Sequence, residues 1–312
     1  MPATIPTHLE RNVRPLGPEA EAQVRRSLIT HYFAASPPGY LETEIGRKDL
    51  EAHQFHRLAR NRRVIVPWLD AARPLAGARI LEIGCGTGAS TVALAEQGAE
   101  VIGVDIDEPA MAAARERARL HGQRAVFTFC NATEVAERFA GERFDFIIYF
   151  AALEHMTLEE RLSSIASTWR MLPSGGLWVV IETPNRLWYY DGHTALLPFF
   201  HWLPEDLAFQ YTRFSQRSNF REIYREDGPE RRQHFLRRGR GVSFHELELA
   251  IGPAAELEVV SSLHQFGSRR SRLPWRRRVS TAEAYRRILA AVGPAGVHEG
   301  FYQEDLDLIL RK

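Results

Sequence analysis

The sequence has little cysteine, no long apolar run and almost no net charge. Only two cysteines occur in 312 residues, Cys85 and Cys130, which excludes a disulfide framework and a zinc site of four cysteines. No apolar run approaches the ~18 residues of a membrane-spanning helix, so we expect no membrane span. Forty basic and 39 acidic residues leave a formal net charge of +1, which disfavours nucleic acid as a partner. Residues 1–14 lack the apolar stretch of a secretory signal, so we expect a cytoplasmic protein.

The hydrophobic pattern divides the chain into four segments. Residues 1–75 show helical spacing, and we expect a helical N-terminal cap. Residues 76–183 alternate short β-rich runs with helical ones, which is typical of parallel βαβ units. Residues 184–240 are rich in aromatic residues and arginine, and we expect an inserted lid. Residues 241–312 would complete the sheet, with an arginine-rich insertion at 267–300.

Seven β-rich runs predict one sheet. The predicted strands are Arg79–Glu82, Val101–Val104, Val126–Cys130, Phe144–Phe150, Leu177–Glu182, Leu257–Leu263 and Leu306–Leu310. Helices are predicted near Leu41–Arg60, Ser90–Gln97, Pro109–His121 and Leu158–Met171. We therefore expect an α/β fold with a doubly wound, Rossmann-like, mostly parallel sheet of seven strands.

The most specific motif is a glycine-rich turn after the first predicted strand. It reads Leu81-Glu-Ile-Gly-Cys-Gly-Thr-Gly88. Glycines permit a tight turn and a close approach of a ligand to the backbone. Asp105 lies at the end of the second predicted strand, where a carboxylate can accept hydrogen bonds from both hydroxyl groups of a ribose. The pattern predicts a ligand that contains adenosine.

Two cofactors are candidates for binding at this turn. A dinucleotide site requires Gly-x-Gly-x-x-Gly, whereas the glycines here, Gly84, Gly86 and Gly88, are spaced one residue more tightly. The Glu82 carboxylate at the strand exit would repel a pyrophosphate, but it suits the ammonium and sulfonium groups of S-adenosylmethionine. The residues therefore favour S-adenosylmethionine over NAD, with a nicotinamide-dependent oxidoreductase as the alternative.

Three further stretches follow the glycine turn in a familiar order. They are Phe129-Cys-Asn-Ala-Thr133, Phe144-Asp-Phe-Ile-Ile-Tyr-Phe-Ala-Ala-Leu-Glu-His155 and Leu172-Pro-Ser-Gly-Gly-Leu177. Together with the glycine turn and the downstream acid, they resemble the motifs of the class I S-adenosylmethionine-dependent methyltransferase family. The resemblance covers residues 76–186 well and the C-terminal strands weakly.

The resemblance implies a set of cofactor-binding residues. They are Glu82, Gly84, Cys85, Gly86, Gly88, Asp105, Ile106, Asn131 and Ala132. In this set the resemblance places the ribose on Asp105 and the adenine beside Ile106. Asn131 stands where the family usually has aspartate, and it would face the adenine amino group with an acceptor oxygen but no charge.

The acceptor side of the site is expected after the fourth and fifth strands, because ligands of open α/β sheets lie outside the carboxyl ends of the strands. His155 is our candidate general base for an alcohol or phenol, with a purely loop-orienting role as the alternative. The candidates for acceptor contact in the lid are Trp188, Tyr190, His193 and His201. Alternatively, the aromatic residues of the lid form a satellite core or a homodimer face.

Metal and acceptor chemistry are predicted from two further features. Some relatives hold a divalent metal with Glu-x-x-Glu-His, but the first position here is Ala151, so we expect no essential metal. An anionic acceptor would suit the arginines at 269–278, namely Arg269, Arg270, Arg272, Arg276, Arg277 and Arg278. The predicted function is O-methylation of a small molecule, such as a secondary metabolite, a sugar or a carrier-bound intermediate. A non-catalytic binding protein with the same fold is another alternative.

Overall fold

A seven-stranded sheet organises the computed structural model, which describes residues 12–270 and 280–312 apart from the side chains at 218–219 and 268–270. The strands are β1 (Arg79–Ile83), β2 (Glu100–Asp105), β3 (Ala125–Phe129), β4 (Phe146–Phe150), β5 (Leu177–Pro184), β6 (Glu258–Ser262) and β7 (Asp305–Arg311). Their order is β3-β2-β1-β4-β5-β7-β6. β2 pairs in parallel with β1 and β3, whereas β6 and β7 are antiparallel. The Rossmann-like α/β fold expected from the sequence is confirmed.

The helices connect and flank these strands. Before β1 lie α1 (Pro18–Thr30), α2 (Glu44–Glu51), α3 (Arg57–Arg60) and α4 (Val66–Ala72). Between β1 and β5 lie α5 (Ala89–Ala95), α6 (Glu108–Leu120), α7 (Val135–Arg138) and α8 (Leu158–Met171). After β5 come α9 (Glu205–Tyr211), α10 (Ser218–Arg221), α11 (Arg231–Leu236), α12 (Phe244–Ala250), α13 (Leu263–Arg270) and α14 (Thr281–Val292). No helix in the described part of the chain is long and apolar enough to cross a membrane.

The second N-terminal helix differs from its prediction. We expected a helix over Leu41–Arg60, but helical backbone begins at Glu44 and continues to Ala72. Two π-helical turns, Ala52–His56 and Asn61–Ile65, interrupt the α-helical geometry of this run. Such wide turns are frequent at functional sites, and apolar periodicity in the sequence does not reveal them.

The chain divides into two compact units. The first unit ends at Ile148 and includes Met171–Leu177, and the second comprises Tyr149–Arg170 and the chain from Trp178 onward. The four segments predicted from the sequence follow a different division and stay predictions.

The aromatic insertion has a small core of its own in the second unit. Phe200, Phe209 and Phe235 are buried there together with aliphatic residues of the same segment. Their rings pack edge to face, with centroids 6.1 Å apart for Phe200 and Phe235 and 5.6 Å apart for Phe209 and Phe235. These residues therefore stabilise the insertion, as the satellite-core interpretation of the sequence expects.

A buried arginine ties the start of α8 to the loop after the aromatic insertion, also within the second unit. Arg161 is 5% exposed and lies 3.6 Å from the Glu246 carboxylate. Its guanidinium donates to the backbone carbonyls of Leu153, Glu154, Arg240 and Gly241 at 2.7–3.3 Å. A charge buried to this degree is stable only when such partners surround it.

Replacement of this arginine should destabilise the protein. Arg161→Met leaves the buried Glu246 carboxylate without its cation and removes one hydrogen bond from each of four buried carbonyls, so we expect the free energy of unfolding to fall by about 3–5 kcal/mol. Denaturant unfolding measures this change. The control is Arg170→Met in the exposed last turn of the same helix, which should alter stability by less than about 0.5 kcal/mol. Equal stability of the two variants would contradict the assigned role.

Candidate active site

The glycine loop between β1 and α5 follows a backbone path that favours glycine. Gly84, Gly86 and Gly88 have φ angles of 85°, 47° and 75°, which lie in the left-handed region. A Cβ atom on Gly88 would also lie 2.8 Å from the Cβ of Ala114 in α6. This glycine therefore permits both the turn and the close packing of α5 against α6.

Four N–H groups of the loop are already bonded inside the first unit. The donors are Gly84 and Cys85, both to Val104 O at 2.9 and 3.2 Å, Gly86 to Asp105 Oδ2 at 2.8 Å, and Gly88 to Cys85 O at 2.9 Å. A pyrophosphate is held by free backbone N–H groups of this kind. Because the loop uses these four donors internally, it offers fewer N–H groups to a pyrophosphate.

The Asp105 carboxylate both pins the loop and retains capacity to bind a ligand. Its Oδ2 accepts from the Gly86 N–H at 2.8 Å, and its Oδ1 accepts from the Asp107 N–H at 2.9 Å. A carboxylate has about four lone-pair sites, so two hydroxyl groups of a ribose can still bind. Burial raises the pKa of Asp105 above its usual value.

Two exposed apolar side chains lie at the ends of β2 and β3. Ile106 is 57% exposed, and Phe129, which is in register with Asp105 across β2 and β3, is 61% exposed. Large apolar groups left in solvent at the ends of strands are suited to cover a flat aromatic ligand. This geometry is consistent with the expected place of adenine beside Ile106.

Asn131 is committed to a local turn. Its Oδ1 accepts from the Thr133 N–H at 3.1 Å and from the Thr133 hydroxyl at 2.9 Å. The oxygen that the adenine amino group would need is therefore shared with Thr133, and the adenine contact stays a prediction. Two other expected cofactor residues, Cys85 and Ala132, are buried.

Glu82 lies in β1, just before the glycine loop. Its side chain is completely buried, and its two carboxylate oxygens accept hydrogen bonds from the hydroxyls of Ser90 and Thr91 in α5. Burial raises the pKa of Glu82 to about 7. In this structure Glu82 thus supports the helix that follows the loop, and its direct contact with an ammonium stays a prediction.

Sequence reasoning missed a buried arginine that holds the loop from α6. The Arg117 guanidinium donates to Thr87 O at 2.9 Å and to His53 O at 2.7 Å, and it is 1% exposed. Burial lowers the pKa of Arg117 to about 10, so it remains charged at neutral pH. The signal in the sequence was an arginine on the otherwise apolar helix face formed by Ala110, Met111, Ala113, Ala114 and Ala118.

The N-terminal helices also bring two ring side chains to the first unit's site. His53 lies on a π-helical turn, with Nδ1 3.2 Å from the Thr87 hydroxyl, and burial lowers its pKa to about 3. The Tyr32 ring packs on His53 with the centroids 4.5 Å apart. Burial is the main cause that raises the pKa of Tyr32, and the charges of Asp49, Asp107 and Asp105 add to it. A neutral imidazole therefore lies beside the glycine loop, with a neutral phenol packed on it.

In the second unit, His155 has a defined tautomer. It ends a 3-10 turn, Leu153–His155, and its side chain is 46% exposed. Its Nδ1 lies 2.9 Å from the carbonyl oxygen of Arg237, which can only accept, so Nδ1 carries the proton. Nε2 consequently has the lone pair, as a general base requires.

A buried carboxyl lies beside this histidine. Glu154 has no exposed surface, and its Oε1 is 3.9 Å from His155 Nε2. Its Oε2 accepts from the Thr183 hydroxyl at 3.3 Å, whereas its Oε1 has no hydrogen-bond partner in the described part of the chain. Burial raises the pKa of Glu154 to about 8, so the carboxyl is largely protonated at neutral pH.

Two of the four predicted acceptor contacts make hydrogen bonds within the second unit. His201 is 2% exposed, its Nδ1 accepts from the Gly241 N–H at 3.0 Å, and its Nε2 lies 3.4 Å from Asp191 Oδ1. The Tyr190 hydroxyl donates to Leu196 O at 3.3 Å. Their contact with an acceptor stays a prediction, because these bonds account for the present orientation of both side chains.

The other two predicted contacts have surfaces or atoms that a ligand could use. Trp188 is 5% exposed, packs edge to face on Tyr285 with centroids 5.4 Å apart, and lines a cavity. The buried Nδ1 atom of His193 has no hydrogen-bond partner among the described residues. Burial, followed by the nearby charge of His155, lowers the pKa of His193 to about 4. The roles of both residues also stay predictions.

The remaining expectations concern metal and anion binding. Within the described residues, no group of three or more histidine, cysteine or acidic side chains could hold a metal ion. The expectation of no essential metal nevertheless stays a prediction. The arginine cluster at 269–278 lies outside the residues whose side chains the structure describes.

Comparison with known proteins identifies part of the chain. Residues 80–176 match a family model described as a methyltransferase domain. Ubiquinone biosynthesis O-methyltransferase of Thiobacillus denitrificans is 35% identical over 119 residues, which are 38% of this chain and 50% of that protein. The enzyme of the same name from Ruegeria sp. is 39% identical over 118 residues, which are 38% of this chain and 46% of that protein.

A solved structure is similar over a larger share of both chains. It is magnesium protoporphyrin IX methyltransferase of Synechocystis PCC 6803, with 21% identity, a TM-score of 0.38, and coverage of 55% of this chain and 80% of that one. The sequence matches span about half the length of the ubiquinone biosynthesis enzymes. Taken with the family model over residues 80–176, they show that this domain belongs to the class I S-adenosylmethionine-dependent methyltransferases.

Proposed function

We propose that the whole chain is an S-adenosylmethionine-dependent methyltransferase that methylates an oxygen atom of a small molecule. The observation that carries this proposal is the glycine loop of the first unit. Its internal use of N–H groups disfavours a pyrophosphate, and Asp105 keeps acceptor capacity for a ribose. The family of residues 80–176 supports the same cofactor and weighs against a nicotinamide-dependent oxidoreductase.

The first unit would bind the cofactor through residues of different chemistry. Asp105 would accept from the ribose hydroxyls, and Ile106 and Phe129 would cover the adenine. Gly86 and Gly88 let the backbone approach the methionine portion, while Arg117 keeps the loop in place through the Thr87 carbonyl. When bound, S-adenosylmethionine supplies an electrophilic methyl group on a sulfonium.

The second unit would supply the base that takes the proton of the methyl acceptor. An alcohol or phenol must lose its proton as its oxygen is methylated, and His155 Nε2 has the lone pair to take it. The Arg237 carbonyl would then hold the other ring N–H and fix the ring orientation. Burial raises the pKa of the neighbouring Glu154 to about 8.

Oxygen is proposed as the methylated atom because the relatives named above are O-methyltransferases and because His155 can serve a hydroxyl acceptor. Neither the fold nor the cofactor identifies the methyl acceptor. A secondary metabolite, a sugar and a carrier-bound intermediate agree with the proposal. A cytoplasmic location and a homodimer stay predictions from the sequence.

Asp105 allows a direct test of cofactor binding. We expect Asp105→Asn to weaken the affinity for S-adenosylmethionine about tenfold to a hundredfold, because the carboxylate would make charge-assisted bonds to the ribose. Calorimetric titration gives the Kd. The control is Glu100→Gln at the exposed start of the same strand, which should keep the wild-type Kd within a factor of two. An unchanged Kd for Asp105→Asn would remove Asp105 from the cofactor site.

His155 allows a separate test of the proposed base. A panel of phenols, catechols and sugar alcohols first identifies an acceptor by formation of S-adenosylhomocysteine. With that acceptor, His155→Ala should lower kcat by about a hundredfold or more and leave the Kd for S-adenosylmethionine unchanged. His245→Ala, which removes an exposed histidine of α12, is the matched control and should keep kcat. A loss below threefold in His155→Ala would contradict the role of His155 as a base.

A further inference from the structure

One arginine of the second unit is partly buried and has no acidic partner among the described residues. It is Arg217, and no carboxylate of the described part of the chain forms an ion pair with its guanidinium. Residues 1–11, 218–219 and 268–279, whose side chains the structure does not describe, include a single acid, Glu10. A partly buried charge without a counter-ion is costly, and a bound anion would offset that cost.

Hydrogen bonds connect the backbone of Arg217 to the loop that carries His193. The Ser215 hydroxyl accepts from the Arg217 N–H at 3.1 Å and donates to the Ala195 carbonyl oxygen at 2.6 Å. Ala195 follows His193 by two residues, and Ser215 is buried. One buried hydroxyl therefore holds the two segments together.

A carboxylate fixes the conformation of this loop. Asp191 Oδ1 accepts from the N–H groups of His193 and Thr194 at 3.0 and 2.7 Å, and its Oδ2 accepts from the Ala195 N–H. Burial opposes the charge of Asp191, but the interaction with His201 and the backbone N–H groups hold its pKa below the usual value. Asp191 is thus used within the loop and does not pair with Arg217.

The imidazole of His193 has a nitrogen that a ligand could use. Its Nδ1 is buried and has no hydrogen-bond partner in the described part of the chain. Burial is the main cause that lowers the pKa of His193 to about 4, and the charges of His155, Arg217 and His201 lower it further. The charge of Asp191 acts in the opposite direction. The ring is therefore neutral at pH 7 and can donate one N–H to an anion.

The chemistry of these two side chains selects an oxyanion. A guanidinium offers paired N–H donors whose spacing matches a carboxylate or a phosphate, and it repels an ammonium. Because the charges of both Arg217 and His155 act on the His193 ring, an anion held there would lie near the proposed base. An acceptor could then bind through its anionic group while its hydroxyl faces His155.

We propose that Arg217 and His193 form a subsite for an oxyanion of the methyl acceptor, a carboxylate or a phosphate, beside His155. The identification of this ligand as the acceptor rests on the proposed function. The subsite places an anionic acceptor at residues other than the arginine cluster at 269–278.

The first test compares four probes that share one aromatic ring and differ in charge, on the full-length protein. Benzoate, phenyl phosphate, benzyl alcohol and benzylammonium are titrated at pH 7.5, with ligand-detected NMR as the measurement of Kd. We expect at least one of the two anions to bind at least about tenfold more tightly than the alcohol and the ammonium. The tighter anion identifies the group as a carboxylate or a phosphate. Equal binding of the four probes would overturn the proposal.

Arginine variants connect this binding to the subsite. Arg217→Gln should weaken binding of the tighter anion at least about tenfold, whereas Arg217→Lys keeps the charge and should retain part of the affinity. The control is Arg225→Gln, which removes an equal charge from a 65% exposed arginine paired with Glu222 and should keep the wild-type Kd within about a factor of two. Unchanged binding in Arg217→Gln, or an equal loss in Arg217→Gln and Arg225→Gln, would overturn the proposal.

His193 provides an independent test of the same subsite. His193→Ala removes the ring N–H and should weaken binding of the tighter anion at least about fivefold. His234→Ala, which removes a 60% exposed histidine of the same unit, is the matched control and should leave the Kd unchanged. Wild-type affinity in His193→Ala would overturn a subsite built from both residues.

The same samples separate this proposal from the proposed function. S-adenosylmethionine is titrated into wild type and Arg217→Gln, and we expect equal affinity. With an acceptor in hand, Arg217→Gln should raise KM about tenfold and keep kcat within about threefold, in contrast to His155→Ala. Anion binding without S-adenosylmethionine binding would contradict the methyltransferase function and support a separate anion site. Binding of S-adenosylmethionine without preference for an anion would overturn the subsite and leave the methyltransferase function intact.

Discussion

The buried guanidinium of Arg117 determines how the first unit's ligand site is organised. Its bonds to the carbonyls of Thr87 and His53 join the glycine loop to the N-terminal helices. A guanidinium that is 1% exposed requires such acceptors. Carbonyl groups of both the glycine loop and the N-terminal helices therefore accept hydrogen bonds from Arg117. The N-terminal segment therefore contacts the glycine loop directly, because His53 lies 3.2 Å from the Thr87 hydroxyl and Tyr32 packs on His53.

Buried carboxyl groups occur in both units. In the first unit, the carboxylates of Glu82 and Asp105 accept hydrogen bonds from neighbouring hydroxyl and N–H groups, and burial still raises the pKa of Glu82 to about 7. In the second unit, burial raises the pKa of Glu154 to about 8, although its Oε2 accepts from the Thr183 hydroxyl. Cofactor binding by the first unit and acceptor binding by the second stay predictions.

The sequence predicted the parts of the site that local patterns encode. Glycine spacing, strand alternation and an acid at the end of β2 are short-range signals, so the turn after β1 and the strand bounds were predicted closely, whereas the binding role of Asp105 stays a prediction. Arg117 was missed because a charged residue in a helix is normally solvated, and only tertiary burial shows otherwise.

The role of the aromatic insertion could not be predicted either, because composition does not distinguish residues that line a ligand pocket from residues that form a satellite core. The structure places Phe200 and Phe235 in such a core and leaves Trp188 at a cavity.

The measurement that tests the central claim most directly is parallel calorimetric titration of the wild-type protein with S-adenosylmethionine, S-adenosylhomocysteine and NAD. The bonding of the glycine loop predicts micromolar binding of both sulfur ligands and no binding of NAD. Binding of NAD alone would contradict the account, because the loop would then hold a pyrophosphate despite its internally bonded N–H groups.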